Sequence, residues 1–132
     1  MKVLIVDDDE MVRSVCNGML TLLQHEVVAV NGGEAAIRTL QSSETEFDLI
    51  LLDALMPGMS GPQTMQQLAY LGIKVPIILC SGREMTVEEF NGSDELRPRT
   101  VLGKPFTIQR LQSAIAAALA PNAGFIGPLT IG

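Results

Sequence analysis

The chain has 132 residues, 47% of them hydrophobic and 18% charged, which suits one folded domain and excludes a disordered segment. Fifteen acidic against nine basic residues give a net charge of −6, which argues against nucleic acid as a direct partner, because a phosphate backbone requires a basic surface. The two cysteines, Cys16 and Cys80, are too few for a disulfide framework, so we expect a reducing, cytoplasmic location.

Short apolar runs alternate along the chain with segments of helical periodicity. The first run ends at three consecutive aspartates, too soon for a signal peptide. All the runs are continuous rather than alternating with polar residues, which is typical of strands covered on both faces. The five predicted strands are Val3–Val6, Val27–Val30, Leu49–Leu52, Ile77–Cys80 and Thr100–Leu102.

A helix is predicted after each of these strands. The first has an apolar stripe at helical spacing, formed by Val12, Val15, Cys16, Met19, Leu20 and Leu23. The next three begin at capping pairs, namely Asn31–Glu34, Ser60–Gln63 and Thr86–Glu89. The last ends before Pro121 and has one apolar face, formed by Ile108, Leu111, Ile115, Ala118 and Leu119.

The resulting order, βαβαβαβαβα, requires right-handed crossovers and a parallel sheet with helices on both faces. For five strands in a chain of this length we predict an α/β fold of the flavodoxin-like type, with strand order 2-1-3-4-5. We assign residues 1–120 to this domain. The uncharged, Pro/Gly-rich residues 121–132 read as a tail or linker stub, and their prolines and glycines argue against membrane insertion.

Polar residues stand where the predicted strands end, and these ends meet at the edge of a parallel sheet where ligands bind. They are Asp7, Asp8 and Asp9 after the first strand, Asp53 after the third, Ser81 after the fourth and Lys104 after the fifth. Singly, such acids usually cap helices, and such hydroxyls and lysines usually lie in turns or in solvent. Together they predict one pocket.

Carboxylates that share a pocket repel each other, so each raises the cost of ionising the next. A hard divalent cation relieves this repulsion, and flexible oxygen ligands suit Mg²⁺ better than a transition metal. The single histidine, His25, lies away from the pocket, and both cysteines fall in segments typical of the core. A metal, an ionised carboxylate, a hydroxyl and a fixed cation are the components that phosphoryl transfer requires.

Four motifs in this order resemble the receiver domain of two-component response regulators, and the resemblance covers residues 2 to about 120. They are Val6-Asp7-Asp8-Asp9, residues 51–61 (LLDALMPGMSG), Cys80-Ser81-Gly82 and Gly103-Lys104-Pro105-Phe106. The resemblance implies phosphorylation by a histidine kinase or a histidine phosphotransfer protein. It also implies an output through a downstream protein or a fused domain.

The resemblance further implies that Asp53 is the phosphoacceptor. Asp8 and Asp53 would ligate Mg²⁺ directly, together with the backbone carbonyl of Leu55, and Asp7 would act mainly through water. Asp9 has no firm role in the family, so we expect it to support the other acids or to cap the following helix.

Further expectations concern the residues at and after the fourth and fifth strands. Ser81 would bond a phosphoryl oxygen, and Lys104 would pair with the phosphoryl group or with Asp53. The peptide bond between Lys104 and Pro105 is expected to be cis. Receivers usually carry Tyr or Phe at the position of Val101, where ring rotation reports phosphorylation. We therefore expect Ser81 and the weakly predicted helix after Thr86 to carry the switch.

Two other functions fit part of the pattern. The first aspartate cluster also satisfies the Asp-x-Asp pattern of haloacid-dehalogenase-type phosphatases, although these usually need a longer chain and a later acidic pair. A degenerate receiver, which binds partners without phosphorylation, is supported only by Val101. We therefore expect a domain that catalyses only its own phosphorylation and dephosphorylation, rather than an enzyme with a separate substrate.

Overall fold

The computed structural model describes residues 1–42, 46–82 and 98–120. The strands in these ranges form one parallel sheet in the order β2-β1-β3-β4-β5, which confirms the predicted flavodoxin-like topology. The elements are β1 (Lys2–Val6), α1 (Glu10–Leu22), β2 (Glu26–Val30), α2 (Gly33–Ser42), β3 (Leu49–Asp53), α3 (Gly61–Tyr70), β4 (Ile77–Ser81), β5 (Thr100–Gly103) and α4 (Ile108–Leu119). The helix expected after Thr86 and the expected tail of residues 121–132 lie outside the described residues.

The core is divided between the two faces of the sheet, because alternate side chains of a strand point to opposite faces. Val3 and Ile5 of β1 pack on the side covered by α1 and α4, whereas Leu4 and Val6 pack on the side covered by α2 and α3. All five residues of β3, the central strand, are buried. The continuous apolar runs in the sequence therefore reflect strands covered on both faces.

Three strands extend one residue further at their carboxyl ends than their apolar runs predict. β3 includes Asp53, β4 includes Ser81 and β5 includes Gly103. The reason is that hydrogen bonds between strands join backbone groups, so pairing continues where the side chain is polar. Asp53 and Ser81 are consequently held by the sheet itself, whereas Asp7, Asp8 and Lys104 lie just beyond the ends of their strands.

The starts of the helices follow local capping chemistry. Asp9 caps α1, since its side chain accepts hydrogen bonds from the second and third backbone N–H groups after it. The predicted capping box of Ser60 and Gln63 is confirmed at α3. By contrast, α2 begins at Gly33, one residue later than a cap at Asn31 predicts. None of the described helices is long and apolar enough to cross a membrane.

The apolar stripe predicted for α1 is only partly correct. Cys16 and Leu20 are buried against the sheet, but Val15 is 51% exposed. Val15 lies one turn after the exposed Met11, on a side of the helix that faces solvent. A periodic pattern can include such an edge position, because spacing alone does not show how a helix is rotated about its axis.

Candidate functional site

The parallel register brings the predicted site residues to one edge of the sheet. Val6 of β1 pairs with Leu52 of β3, so Asp7 follows directly beside Asp53. On the other side of β3, Asp53 pairs with Cys80, the residue before Ser81.

Three carboxylates converge at this edge. Asp7, Asp8 and Asp53 each place an oxygen within 4.8 Å of the others. Asp7 and Asp53 are buried, whereas Asp8 is exposed. Hard oxygen donors with one side open to water fit Mg²⁺, which keeps several waters when it binds a protein. The donor set is therefore suited to this ion.

Lys104 joins two of these carboxylates. Its Nζ atom lies 2.9 Å from Asp7 Oδ2 and 2.8 Å from Asp53 Oδ1. From the sequence, a divalent cation alone was expected to relieve the repulsion among the carboxylates. In the structure, the Lys104 ammonium already offsets part of that repulsion, because it stands between the two buried acids.

Burial and pairing oppose each other in this cluster. Burial raises the pKa of Asp53 above its ordinary value, and the hydrogen bond and charge of Lys104 only partly counter that effect. Burial lowers the pKa of Lys104, but the hydrogen bonds and charges of Asp53 and Asp7 outweigh it and leave the pKa raised. The ammonium therefore stays charged at neutral pH, and Asp53 binds a proton more readily than an exposed aspartate.

The loop after β1 is fixed by contacts to Asp7. The Asp9 backbone N–H donates to Asp7 Oδ1 over 2.9 Å, and Arg13 Nη1 donates to the Asp7 carbonyl over 2.8 Å. Arg13 was not among the residues predicted from the sequence. Helical side chains lean toward the N-terminus of their helix, so an arginine near the start of α1 could have been expected to reach the preceding loop.

The other strand ends complete the rim of the site. The Leu55 backbone N–H donates to the Asp53 carboxylate, and the Leu55 side chain is 74% exposed. Ser81 is buried, and its carbonyl accepts from the Lys104 backbone N–H over 2.7 Å. The peptide bond between Lys104 and Pro105 is cis.

Four other residues considered in the sequence, namely Val101, His25, Cys16 and Cys80, are not among the polar groups of the site. Val101 is half-buried within β5, opposite Leu79 of β4. His25 lies at the opposite edge of the sheet, where its Nδ1 is 3.4 Å from the terminal amine. Burial raises the pKa of Cys16 to about 11 and also raises that of Cys80, so both thiols are protonated core groups.

Sequence comparison relates this chain to signalling proteins. A family model described as the response regulator receiver domain matches residues 3–116. The two-component response regulator ARR14 of Arabidopsis thaliana is 35% identical over 89 residues, which are 66% of this chain and 23% of that protein. The uncharacterised transcriptional regulatory protein YkoG of Bacillus subtilis is 29% identical over 120 residues, 91% of this chain and 51% of that protein. The chain thus spans about half, or less, of these relatives.

Structural comparison gives the same relationship. Chemotaxis protein CheY4 of Vibrio cholerae is 26% identical with a TM-score of 0.78, covering 89% of this chain and 98% of that one. The receiver domain of the Pseudomonas aeruginosa sensor histidine kinase PA1611 is 25% identical with a TM-score of 0.75, covering 89% and 95%. The PA1611 structure has a magnesium ion coordinated in its active site cleft.

Proposed function

The chain belongs to the family of response regulator receiver domains, and on that basis we propose that Asp53 accepts a phosphoryl group in a two-component phosphorelay. The observation that carries this proposal is the position of the Asp53 carboxylate. This carboxylate is buried, and its Oδ1 atom lies 2.8 Å from Lys104 Nζ. Two other carboxylates lie beside it at the same end of the sheet. A nucleophile, a fixed cation and donors for a hard metal ion are thus combined in one place.

The proposed reaction transfers a phosphoryl group from phosphohistidine. A carboxylate oxygen of Asp53 attacks phosphorus in line, the phosphorus–nitrogen bond breaks, and its electron pair remains on the imidazole nitrogen. The product is an acyl phosphate on Asp53. No general base is needed, because an aspartate carboxylate is ordinarily deprotonated at neutral pH. The donor would be a histidine kinase or a histidine phosphotransfer protein.

Residues around Asp53 would stabilise the transferred group. Lys104 would pair with a phosphoryl oxygen while it keeps its bond to Asp7, and the Ser81 hydroxyl would donate to another oxygen. Asp8, Asp53 and the Leu55 carbonyl would hold Mg²⁺ directly, and Asp7 would hold it through water. Bound Mg²⁺ would supply positive charge to neutralise the phosphoryl oxygens.

The proposed output is a change of the surface beside the site. Ser81 would move toward the phosphoryl group, whereas Val101 has no ring to reposition and is stiff at χ1. A downstream protein, or a domain fused to this one, would read the change.

The location we propose is the cytoplasm, with which two unpaired, buried thiols are compatible. In this scheme the domain turns over its own phosphoryl group and no separate substrate.

Intact-mass measurement after incubation with Mg²⁺ and acetyl phosphate tests the proposal. Wild type should gain one phosphoryl group, and Asp53→Asn should gain none. Asp48→Asn is the matched control, because Asp48 lies just before β3, at the end of the strand away from Lys104, and should be phosphorylated like wild type. Equal incorporation in wild type and Asp53→Asn would contradict the assignment. Steady turnover of a small phosphomonoester would instead favour a phosphatase.

A further inference from the structure

The polar atoms of Asp7 are all engaged by other groups. Its backbone N–H donates to the Val30 carbonyl over 3.2 Å, and its own carbonyl accepts from Arg13 Nη1 over 2.8 Å. Its carboxylate accepts from the Asp9 backbone N–H over 2.9 Å and from Lys104 Nζ over 2.9 Å. Asp7 is therefore fixed in place before any ion binds, and one of its four partners is an arginine side chain.

The contact with Arg13 also bears on Asp8. The Asp7 carbonyl lies in the same planar peptide unit as the nitrogen and Cα atoms of Asp8. A donor that fixes this carbonyl therefore fixes the plane from which the Asp8 side chain projects. Asp8 is the exposed carboxylate of the cluster, so its own surroundings constrain it least.

We propose that Arg13 is a positioning residue for the divalent ion, because it holds the Asp7–Asp8 peptide in the orientation that turns the Asp8 carboxylate toward Asp53. This inference rests on the proposed magnesium site. Arginine suits the task since its planar guanidinium is always charged and places its donors rigidly. Arg13 reaches the loop because side chains in α1 lean toward the start of that helix.

The proposal predicts a change of ion affinity whose sign separates it from a simple effect of charge. The positive charge of Arg13 near the carboxylates repels a cation, so its removal alone would tighten Mg²⁺ binding. If Arg13 orients Asp8, its removal weakens Mg²⁺ binding instead. Outer partners of metal ligands typically account for about 10- to 100-fold in affinity, and we expect about tenfold here.

Amide NMR titrations with Mg²⁺ measure this affinity directly in wild type and in variants. Arg13→Met and Arg13→Gln both remove the charge and cannot reach the Asp7 carbonyl as arginine does, so both should bind Mg²⁺ about tenfold more weakly. Arg13→Lys keeps a charged donor and should recover most of the affinity. Arg99→Met is the matched control, because Arg99 is exposed and lies just before β5, at the end of the strand away from the carboxylates. It should bind Mg²⁺ like wild type.

The outcomes distinguish this role from the proposed function. Wild-type affinity or tighter binding in Arg13→Met and Arg13→Gln, with folded spectra, would overturn the role of Arg13 and leave the metal site standing. The absence of a Mg²⁺ response in wild type would overturn the metal site itself, and the role of Arg13 with it. A lower melting temperature without a change in Mg²⁺ affinity would show that the contact only stabilises the fold.

Discussion

The chemistry of single residues in the site depends on competition between burial and pairing. Asp53 is buried and loses most of its contact with water, and the Lys104 ammonium at 2.8 Å restores only part of the stabilisation that water gives a carboxylate. Lys104, in contrast, gains two carboxylate partners and remains charged. The pair thus presents a poorly solvated carboxylate oxygen next to a fixed cation, an arrangement that suits the nucleophilic role proposed for Asp53.

The raised pKa of Asp53 predicts a measurable titration. The folded state binds a proton at Asp53 more readily than the unfolded chain does. The contribution of Asp53 to stability therefore falls as the pH rises from the pKa of Asp53 in the unfolded chain to its pKa in the folded protein. Above the folded pKa that unfavourable contribution remains constant. The ¹³Cγ shift of Asp53 should therefore titrate at a higher pH in the folded protein than in urea. Phosphorylation by acetyl phosphate should decline as pH falls through the folded pKa, because protonation removes the nucleophilic carboxylate. A lower midpoint in the folded protein would contradict the dominance of burial.

At the level of elements, the start of α3 is packed closely against the end of β3. A Cβ atom on Gly61 would lie 2.5 Å from the Asp53 carbonyl oxygen and 2.8 Å from Ala54 Cα. Both are backbone atoms of the segment that carries Asp53, so they cannot give way without moving that residue. Gly61 is therefore required by the close approach of helix and strand.

Two glycine-to-alanine substitutions should have opposite effects. Gly61→Ala is expected to lower the free energy of unfolding by about 1–3 kcal/mol, because it forces β3 and α3 apart. Gly18→Ala in α1, where a Cβ atom would meet nothing within 4 Å, should raise it by about 0.5–1 kcal/mol, because alanine restricts the unfolded chain and favours helix.

Urea denaturation measures both changes, and the rate of phosphorylation by acetyl phosphate reports on the site. Gly61→Ala should slow phosphorylation, since Asp53 is displaced, whereas Gly18→Ala should leave it unchanged. Equal stability of Gly61→Ala and wild type would show that the contact between α3 and β3 can relax without cost.

For the whole molecule, the site exists only when the sheet is assembled. Residues 46 positions apart in sequence, Asp7 and Asp53, come together because β1 and β3 are neighbours, and Lys104 joins them from beyond β5. The unfolded chain has no such cluster, so an ion that binds it stabilises the native state by linkage.

Magnesium should therefore raise the melting temperature of wild type, and a chelator should reverse the rise. At 100 times its dissociation constant, one bound ion contributes about 2.7 kcal/mol. Asp8→Ala should abolish the rise and should be at least as stable as wild type without Mg²⁺, because it removes one of the mutually repelling carboxylates. Asp48→Ala, just before β3 and at the end of that strand away from the carboxylates, should keep the rise in melting temperature. A melting temperature independent of Mg²⁺ in wild type would count against the metal site.

Local sequence determined most of the architecture of this protein. The continuous apolar runs identified five strands, and their alternation with helical segments identified a parallel sheet with helices on both faces. The number of strands and the chain length then favoured the order 2-1-3-4-5, and the pair Ser60–Gln63 identified the start of α3. These features are local or follow from general rules of chain handedness. The polar residues at the strand ends were recognisable for the same reason, since parallel strands necessarily end at a common edge.

Tertiary structure alone decided the details that depend on distance and rotation. A pairing of Lys104 with Asp53 was among the expectations, but the sequence did not show that Lys104 also binds Asp7. Nor did it show that Arg13 holds the Asp7 carbonyl, or that Val15 faces solvent. Lys104 and Arg13 have long side chains that can reach several partners, and the packing around them decides which one they bind. The exposure of Val15 depends on how α1 is rotated against the sheet. Such choices are made by three-dimensional packing and by competition among neighbouring charges, and no spacing along the chain records them.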